Sequence, residues 1–155
     1  CWRAPGCRVE EDRKDALGVA LQLGIPFLVL DYKQQYRDRV VEYFFAEYAK
    51  GRTPNPDVMC NKEIKFGLFY DWAMENGFDA VATGHYARSK NGQLLRGVDT
   101  KKDQSYFLYL LREEQLKHIL FPIGNLKKNR GAKTCGPIPF IGCKKTGLAR
   151  HLFYW

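Results

Sequence analysis

Two short apolar runs constrain this chain more than any other feature: "IPFLVLD" at positions 25 to 31 and "DAVATGH" at 79 to 85. Each follows a segment of helical period that closes on a glycine. Strands so evenly apolar are buried on both faces, and a sheet buries both faces only when helices cover each side. Helix then buried strand, repeated, predicts an α/β fold with a mostly parallel sheet flanked by helices. Binding sites in such sheets lie at the carboxyl ends of the strands, which places Thr83, Gly84 and His85 at the rim.

The intervening segments read as helices. Over "EEDRKDALGVALQLG", Ala16, Val19, Ala20 and Leu23 share a face, acids crowd the first turn and Gly24 caps the end. In "YKQQYRDRVVEYFFAEYAKG", Tyr36, Val40, Phe44 and Tyr48 recur four apart and Gly51 closes the helix. "RTPNPDVMC" reads as loop, because each proline biases its predecessor away from helical angles. A third helix is predicted from about Asn61 to Asn76, with Ile64, Leu68 and Trp72 inward and Gly77 at its end. "LLRGVD" reads as a more exposed strand, and "DQSYFLYLLREEQLKHILFPIG" returns to helical period.

With 155 residues, 45% of them apolar, the chain suits one domain with a real core. No apolar stretch approaches the roughly 20 residues of a membrane helix, and the start has no signal-peptide pattern, so a soluble, cytoplasmic protein is expected. The five cysteines, Cys1, Cys7, Cys60, Cys135 and Cys143, include no C-x-x-C pair. That argues against a disulfide framework and a structural zinc site; reduced thiols and no bound metal are expected. Residues 1 to 114 hold 17 basic and 17 acidic residues, whereas 115 to 155 hold 8 basic and none acidic, so the net charge of +8 belongs to the tail. The tail is either a phosphate-binding arm or not an ordinary evolved sequence.

Cys60 draws attention because a thiol at a helix start feels free N–H groups and the positive end of the helix dipole, with Lys62 and Lys65 adding charge. The bland alternative is a buried cysteine acting as a small hydrophobe. Asp57 reads as a helix cap, Asn55 as a turn former, and His85 as a nucleotide contact or a hydrogen-bonded structural residue. "KKDQS", from Lys101 to Ser105, reads as a turn leading into a helix capped by Asp103.

Taken together, "GRTPNPDVMCNKEIKFG", "ATGHYAR", "LLRGVDTKKDQSYFLYLL" and "LFPIGNL" stand in the order and spacing of one family, over roughly residues 9 to 128. The chain resembles the tRNA-specific 2-thiouridylases. The resemblance implies an adenine nucleotide alpha hydrolase-like, Rossmann-like fold, here incomplete. It also implies transfer of sulfur to C2 of the wobble uridine of tRNA, with ATP (with Mg2+) adenylating the C2 oxygen and a cysteine persulfide supplying sulfur. Cys60 is then the nucleophile; Asn55, Pro56 and Asp57 contact the target base; Gly84 touches ATP; and Lys102, Asp103 and Gln104 meet the tRNA. The implied partners are tRNA and a sulfur-relay or cysteine desulfurase protein.

Two family elements are not found in this sequence: a phosphate loop of SGGVDS type before Glu10, and a partner cysteine in a Gly-Ile-Cys-Phe-Ile-Gly stretch. The chain therefore reads as an internal fragment. Residues 1–100 form a partial nucleotide-binding domain, 101–130 the start of a tRNA-contacting region and 131–155 a non-native tail. Two rival readings stay open: a non-catalytic RNA-binding module with a basic arm, and a different ATP-pyrophosphatase, which would not need Cys60.

The tail itself suggests its origin. Codons CGG CAT CTG TTT TAT TGG for Arg150 to Trp155, read from the second base, spell Gly-Ile-Cys-Phe-Ile-Gly. Permitted codons for "KKTGLA" give Lys-Lys-x-Asp-Ser-Arg in the same frame. Sequencing the encoding DNA is expected to show Asp-Ser-x-Gly-Ile-Cys one base over, with the shift entering between about Lys128 and Cys135. A shifted frame without that string removes the explanation.

Overall fold

The computed structural model describes residues 9–127. The readings placed on Cys1, Cys7, Cys135, Cys143 and the 131–155 tail lie outside the described residues.

Helix α1, Val9–Leu23, carries Glu10, Glu11 and Asp12 in its first turn, where the dipole favours acids. Val19 and Ala20 are buried while Leu23 is half-exposed, so the buried stripe is narrower than the sequence suggests. Gly24, Gly51 and Gly77 close the three long helices at φ of +64°, +72° and +78°, as the sequence predicts.

Helix α2 spans 33–49 in three continuous segments, the middle one, Arg37–Val41, having wide i→i+5 turns. Val40 on its inner face is 1% exposed. Helix α3 spans 56–75, again with a wide-turned middle, Cys60–Leu68. It begins five residues before the predicted start. Asn55 is the reason: its Oδ1 accepts the N–H of Asp57 at 3.0 Å and of Val58 at 3.3 Å. Proline at the first helical position, Pro56, loses no bond that the helix would have made there. The prolines thus start a helix instead of prolonging a loop, and the cap is Asn55, not Asp57.

The strands are short. β1, Val81–Ala82, pairs in parallel with β4, Ile119–Leu120, registering Val81 on Ile119 and Ala82 on Leu120. β2, Ala87–Lys90, and β3, Gln93–Arg96, form an antiparallel hairpin. Its two-residue turn, Asn91 at φ +51° and Gly92 at φ +74°, has the left-handed angles that match strand twist. The α/β class holds, but among the described residues the parallel part is one strand pair and the "LLRGVD" strand is antiparallel. The run 25–31 forms no strand, and Ile25, Leu28 and Val29 are more than half exposed. A strand exists only through a neighbour's hydrogen bonds, and no described segment supplies them. The region predicted as one long helix is instead a 3-10 turn, Ser105–Phe107, a short helix α4, Glu113–Lys117, and β4.

That break is demanded by the core. Phe66, Ala87, Leu108, Leu116, Ile119 and Phe121 pack together, with Tyr70, Leu94 and Leu111 at the edge. Leu108, Leu116 and Ile119 reach one cluster only because the chain turns between them. Gly124 completes the packing: a Cβ there would lie 1.7 Å from the Ala87 carbonyl oxygen. Gly124→Ala is expected to lower stability by about 3 kcal/mol or to abolish folding. Gly77→Ala, whose Cβ meets nothing within 4 Å, should cost only about 1 kcal/mol through its φ. Urea midpoints of the two variants check the contrast.

Candidate active site

The site is built on the start of α3. Pro56 and Cys60 are four residues apart, one helical turn, so the proline end of the loop and the thiol share a face. Cys60 lies in the second turn, and its N–H is bonded within the helix to the carbonyls of Pro56 and Asp57. It therefore has no unpaired N–H to favour a thiolate. Burial pushes its pKa above the ordinary 9.0, Lys65 pulls it back in part, and Asp57 pushes it up further. The expectation of a thiolate at neutral pH is corrected: Cys60 rests as a thiol, because desolvation outweighs the nearby cation.

Tyr36 of α2 stands over this face. Its phenol is half-buried, and burial, then the negative charges of Cys60 and Asp57, push its pKa up. With Val40, Val41, Phe44, Phe45 and Pro56 it lines an apolar groove of about 290 Å³. Arg39 and Glu63, 3.7 Å apart, join α2 to α3. Beside the thiol, Asn61 is 3% exposed. Its Nδ2 donates to the Phe107 carbonyl at 3.4 Å, and its Oδ1 has no partner among the described residues.

Across from α3, Gly84 follows β1 between two tied residues. His85 Nδ1 lies 2.9 Å from Thr83 Oγ1, its ring centre is 5.8 Å from that of Phe66, and it meets Phe121 edge-on. Burial, then Lys65, lowers the His85 pKa to about 3. Of the two readings open for His85, the structure supports the structural one, and partly exposed Gly84 is what the strand end offers a ligand.

The Lys102–Gln104 segment divides in the same way. Asp103 accepts the N–H of Gly97 at 2.9 Å and the N–H and hydroxyl of Ser105 at 3.2 and 2.9 Å. Burial alone would raise its pKa, but these donors hold it below the usual carboxylate range. Gln104 clasps Tyr86, accepting its N–H at 3.0 Å and donating its own N–H to the Tyr86 carbonyl at 2.9 Å. Asp103 and Gln104 anchor the turn, while Lys102 is exposed and makes no ion pair among the described residues. No group of three or more His, Cys, Asp or Glu gathers at metal-binding distance among them, and no helix is long and apolar enough to cross a membrane.

A family model described as the tRNA methyl transferase HUP domain matches residues 2–138. The tRNA-specific 2-thiouridylase MnmA of Lactococcus lactis (strain IL1403) is 57% identical over 127 residues, covering 79% of this chain. That of Streptococcus mutans is 51% identical over 144 residues, 90% of the chain. The chain belongs to the MnmA family of tRNA-specific 2-thiouridylases. It spans 34% and 39% of the length of those two relatives.

Within this MnmA-family domain, sequence reading missed Tyr36 and Asn61 as parts of the site. Tyr36 looked like one more apolar stripe position, and nothing in the sequence shows that α2 crosses the start of α3. Asn61 was taken for a helix boundary because the two prolines masked the true start.

The His85 burial carries a pH signature. The unfolded chain binds a proton near the ordinary 6.5, whereas the folded chain does not until about 3. Stability is then fully present above 6.5 and falls as pH drops through that window, by up to about 1.4 kcal/mol per pH unit. Between pH 6.5 and 5 the loss is expected to reach about 2 kcal/mol. In a His85→Gln variant this acid-side slope should flatten, as chemical denaturation at the two pH values would show.

Proposed function

We propose that this chain is the part of a tRNA 2-thiouridylase that presents a thiol to the wobble uridine. The observation that carries the reading is the Asn55-capped start of α3, which sets Pro56, Asp57 and Cys60 on one short stretch of rigid helix beside the Tyr36 groove. A planar base edge resting on Asn55, Pro56 and Asp57 would have its C2 position facing the next turn, where Cys60 stands. Holding both partners on one element removes much of the orientational entropy from the encounter.

The matching family model is described as a methyl transferase domain, whereas the relatives are 2-thiouridylases. A cysteine placed one turn from the base-holding loop suits sulfur transfer. In this reading Cys60 is the nucleophile of a cysteine pair, and the sulfur that reaches C2 originates as a persulfide loaded by a sulfur-relay or cysteine desulfurase protein. ATP, when bound with Mg2+, supplies the adenyl group that makes the C2 oxygen a leaving group. Gly84, partly exposed at the strand end beside His85, which feels the Lys65 charge, fits an anionic nucleotide there. Lys102 offers the tRNA backbone an exposed cation, while Asp103 and Gln104 hold the turn in place. The setting of this chemistry is cytoplasmic.

Because Cys60 rests as a thiol, it must lose its proton before it can act. Alkylation of Cys60, mapped by mass spectrometry at pH 8, should slow several-fold when an unmodified tRNA with a wobble uridine is added. Asp57→Ala should weaken that protection, and Cys60→Ser should leave tRNA binding intact. Labelling indifferent to tRNA would remove the reading.

A further inference from the structure

The wide-turned stretch Cys60–Leu68 is the longer of the two such stretches among the described residues. Turns closed by i→i+5 bonds are rare and concentrate at functional sites. Their effect on side-chain phase is large. In an α-helix, at ~100° per residue, a residue five positions on lies ~140° around the axis and faces away. With roughly 4.4 residues per turn, the same residue returns to within about 50°. Lys65 is five positions after Cys60, so turns of that width carry it round toward the Cys60 side of the helix, and its charge acts on the thiol. Gly67 makes room for them: a Cβ there would stand 2.9 Å from the Lys62 carbonyl oxygen, five residues back.

Lys62 has a partner elsewhere, Glu63 at 3.0 Å. Lys65 is half-buried and paired with no carboxylate among the described residues. Its neighbour Phe66 packs against His85, which fixes this part of α3 over the end of β1. Its charge is felt in both directions, lowering the pKa of Cys60 and of His85. The groups facing the thiol are therefore Asp57 on its own helix, Tyr36 from α2, Lys65, and beyond it a neutral His85.

We propose that Lys65 is a positioning residue of the thiol site, brought onto the Cys60 side of α3 by the wide turns, where its ammonium steadies the thiolate when the proton leaves. This rests on the reading of Cys60 as the nucleophile, and it adds the group that partly offsets the burial opposing ionisation. Only Asp57, a like charge, opposes the thiolate along the helix. No other described cation acts on it.

The rate of Cys60 alkylation against pH, with mass mapping to separate the other cysteines, tests the assignment in the full chain. Lys65→Met should shift the profile upward and slow labelling at pH 7.5 by roughly threefold to tenfold, up to one pKa unit of thiolate fraction. Lys65→Arg should restore most of the rate, and Lys62→Met should leave the profile in place. Gly67→Ala, which disturbs the wide turn without touching a charge, should move the profile in the same direction as Lys65→Met. Circular dichroism confirms that each variant is folded. A Lys65→Met profile superimposable on the parent's, or equal shifts from Lys62→Met and Lys65→Met, overturns the proposal and leaves the function standing. A parent chain whose Cys60 resists alkylation up to pH 10 overturns both.

Discussion

The hydrogen bonds from the N–H groups of Asp57 and Val58 to the Asn55 side chain decide where α3 begins, and much else follows from that choice. A helix start fixes the angular phase of every later residue. Beginning at Pro56, the helix turns Val58, Ile64, Phe66 and Ala73 inward and leaves Cys60 at the boundary between core and solvent. Phe66 then seats His85 and accepts, through its carbonyl, the Gln115 amide at 2.6 Å. Had the helix begun five residues later, as the prolines suggest, Cys60 would have stood at its open end with free N–H groups around it. The cap therefore sets the electrostatics of the thiol as well as the packing of the core.

This shows where sequence reasoning succeeds and where it stops. Helices α1 and α2 were legible because their apolar period and closing glycines are local properties of the chain. The start of α3 was misread because Asn-Pro-Asp satisfies both a turn and a capped helix; choosing between them takes the side-chain bond of Asn55. The 25–31 run shows a different limit. Its composition favours a buried strand, yet strand formation is a property of a pair, and the run is neither strand nor buried. The hairpin, by contrast, needed only the Asn91-Gly92 turn between strands, a signal present in the sequence and passed over. Around 105–122 the helical period was real but coincidental: the leucines converge on one core by turning, not by winding.

The candidate site was legible as a set of residues and not as chemistry. Motifs named Asn55, Pro56, Asp57, Cys60, Gly84 and the Lys102–Gln104 run. They did not distinguish residues that meet solvent from those consumed by the fold. Asp103 and Gln104 spend their polar atoms on Gly97, Ser105 and Tyr86. His85 is locked neutral between Phe66 and Phe121. Each is a polar residue whose partners are distant in sequence, and that information exists only once the chain is folded.

Charge distribution bears on how such a domain meets a polyanion. The excess over neutrality in the whole chain is +8, and the eight basic residues Arg3, Arg8, Lys128, Arg130, Lys133, Lys144, Lys145 and Arg150 all lie outside 9–127. The described residues carry no net charge, so they lack the long-range attraction for a polyanion that a net basic charge provides. Under the proposed function, local attraction falls to exposed cations without carboxylate partners among the described residues, such as Lys102. At Cys60 burial acts most strongly, then Lys65, then Asp57. In a half-buried site, where screening by solvent is weak, it is among charges those nearest the thiol that dominate its ionisation.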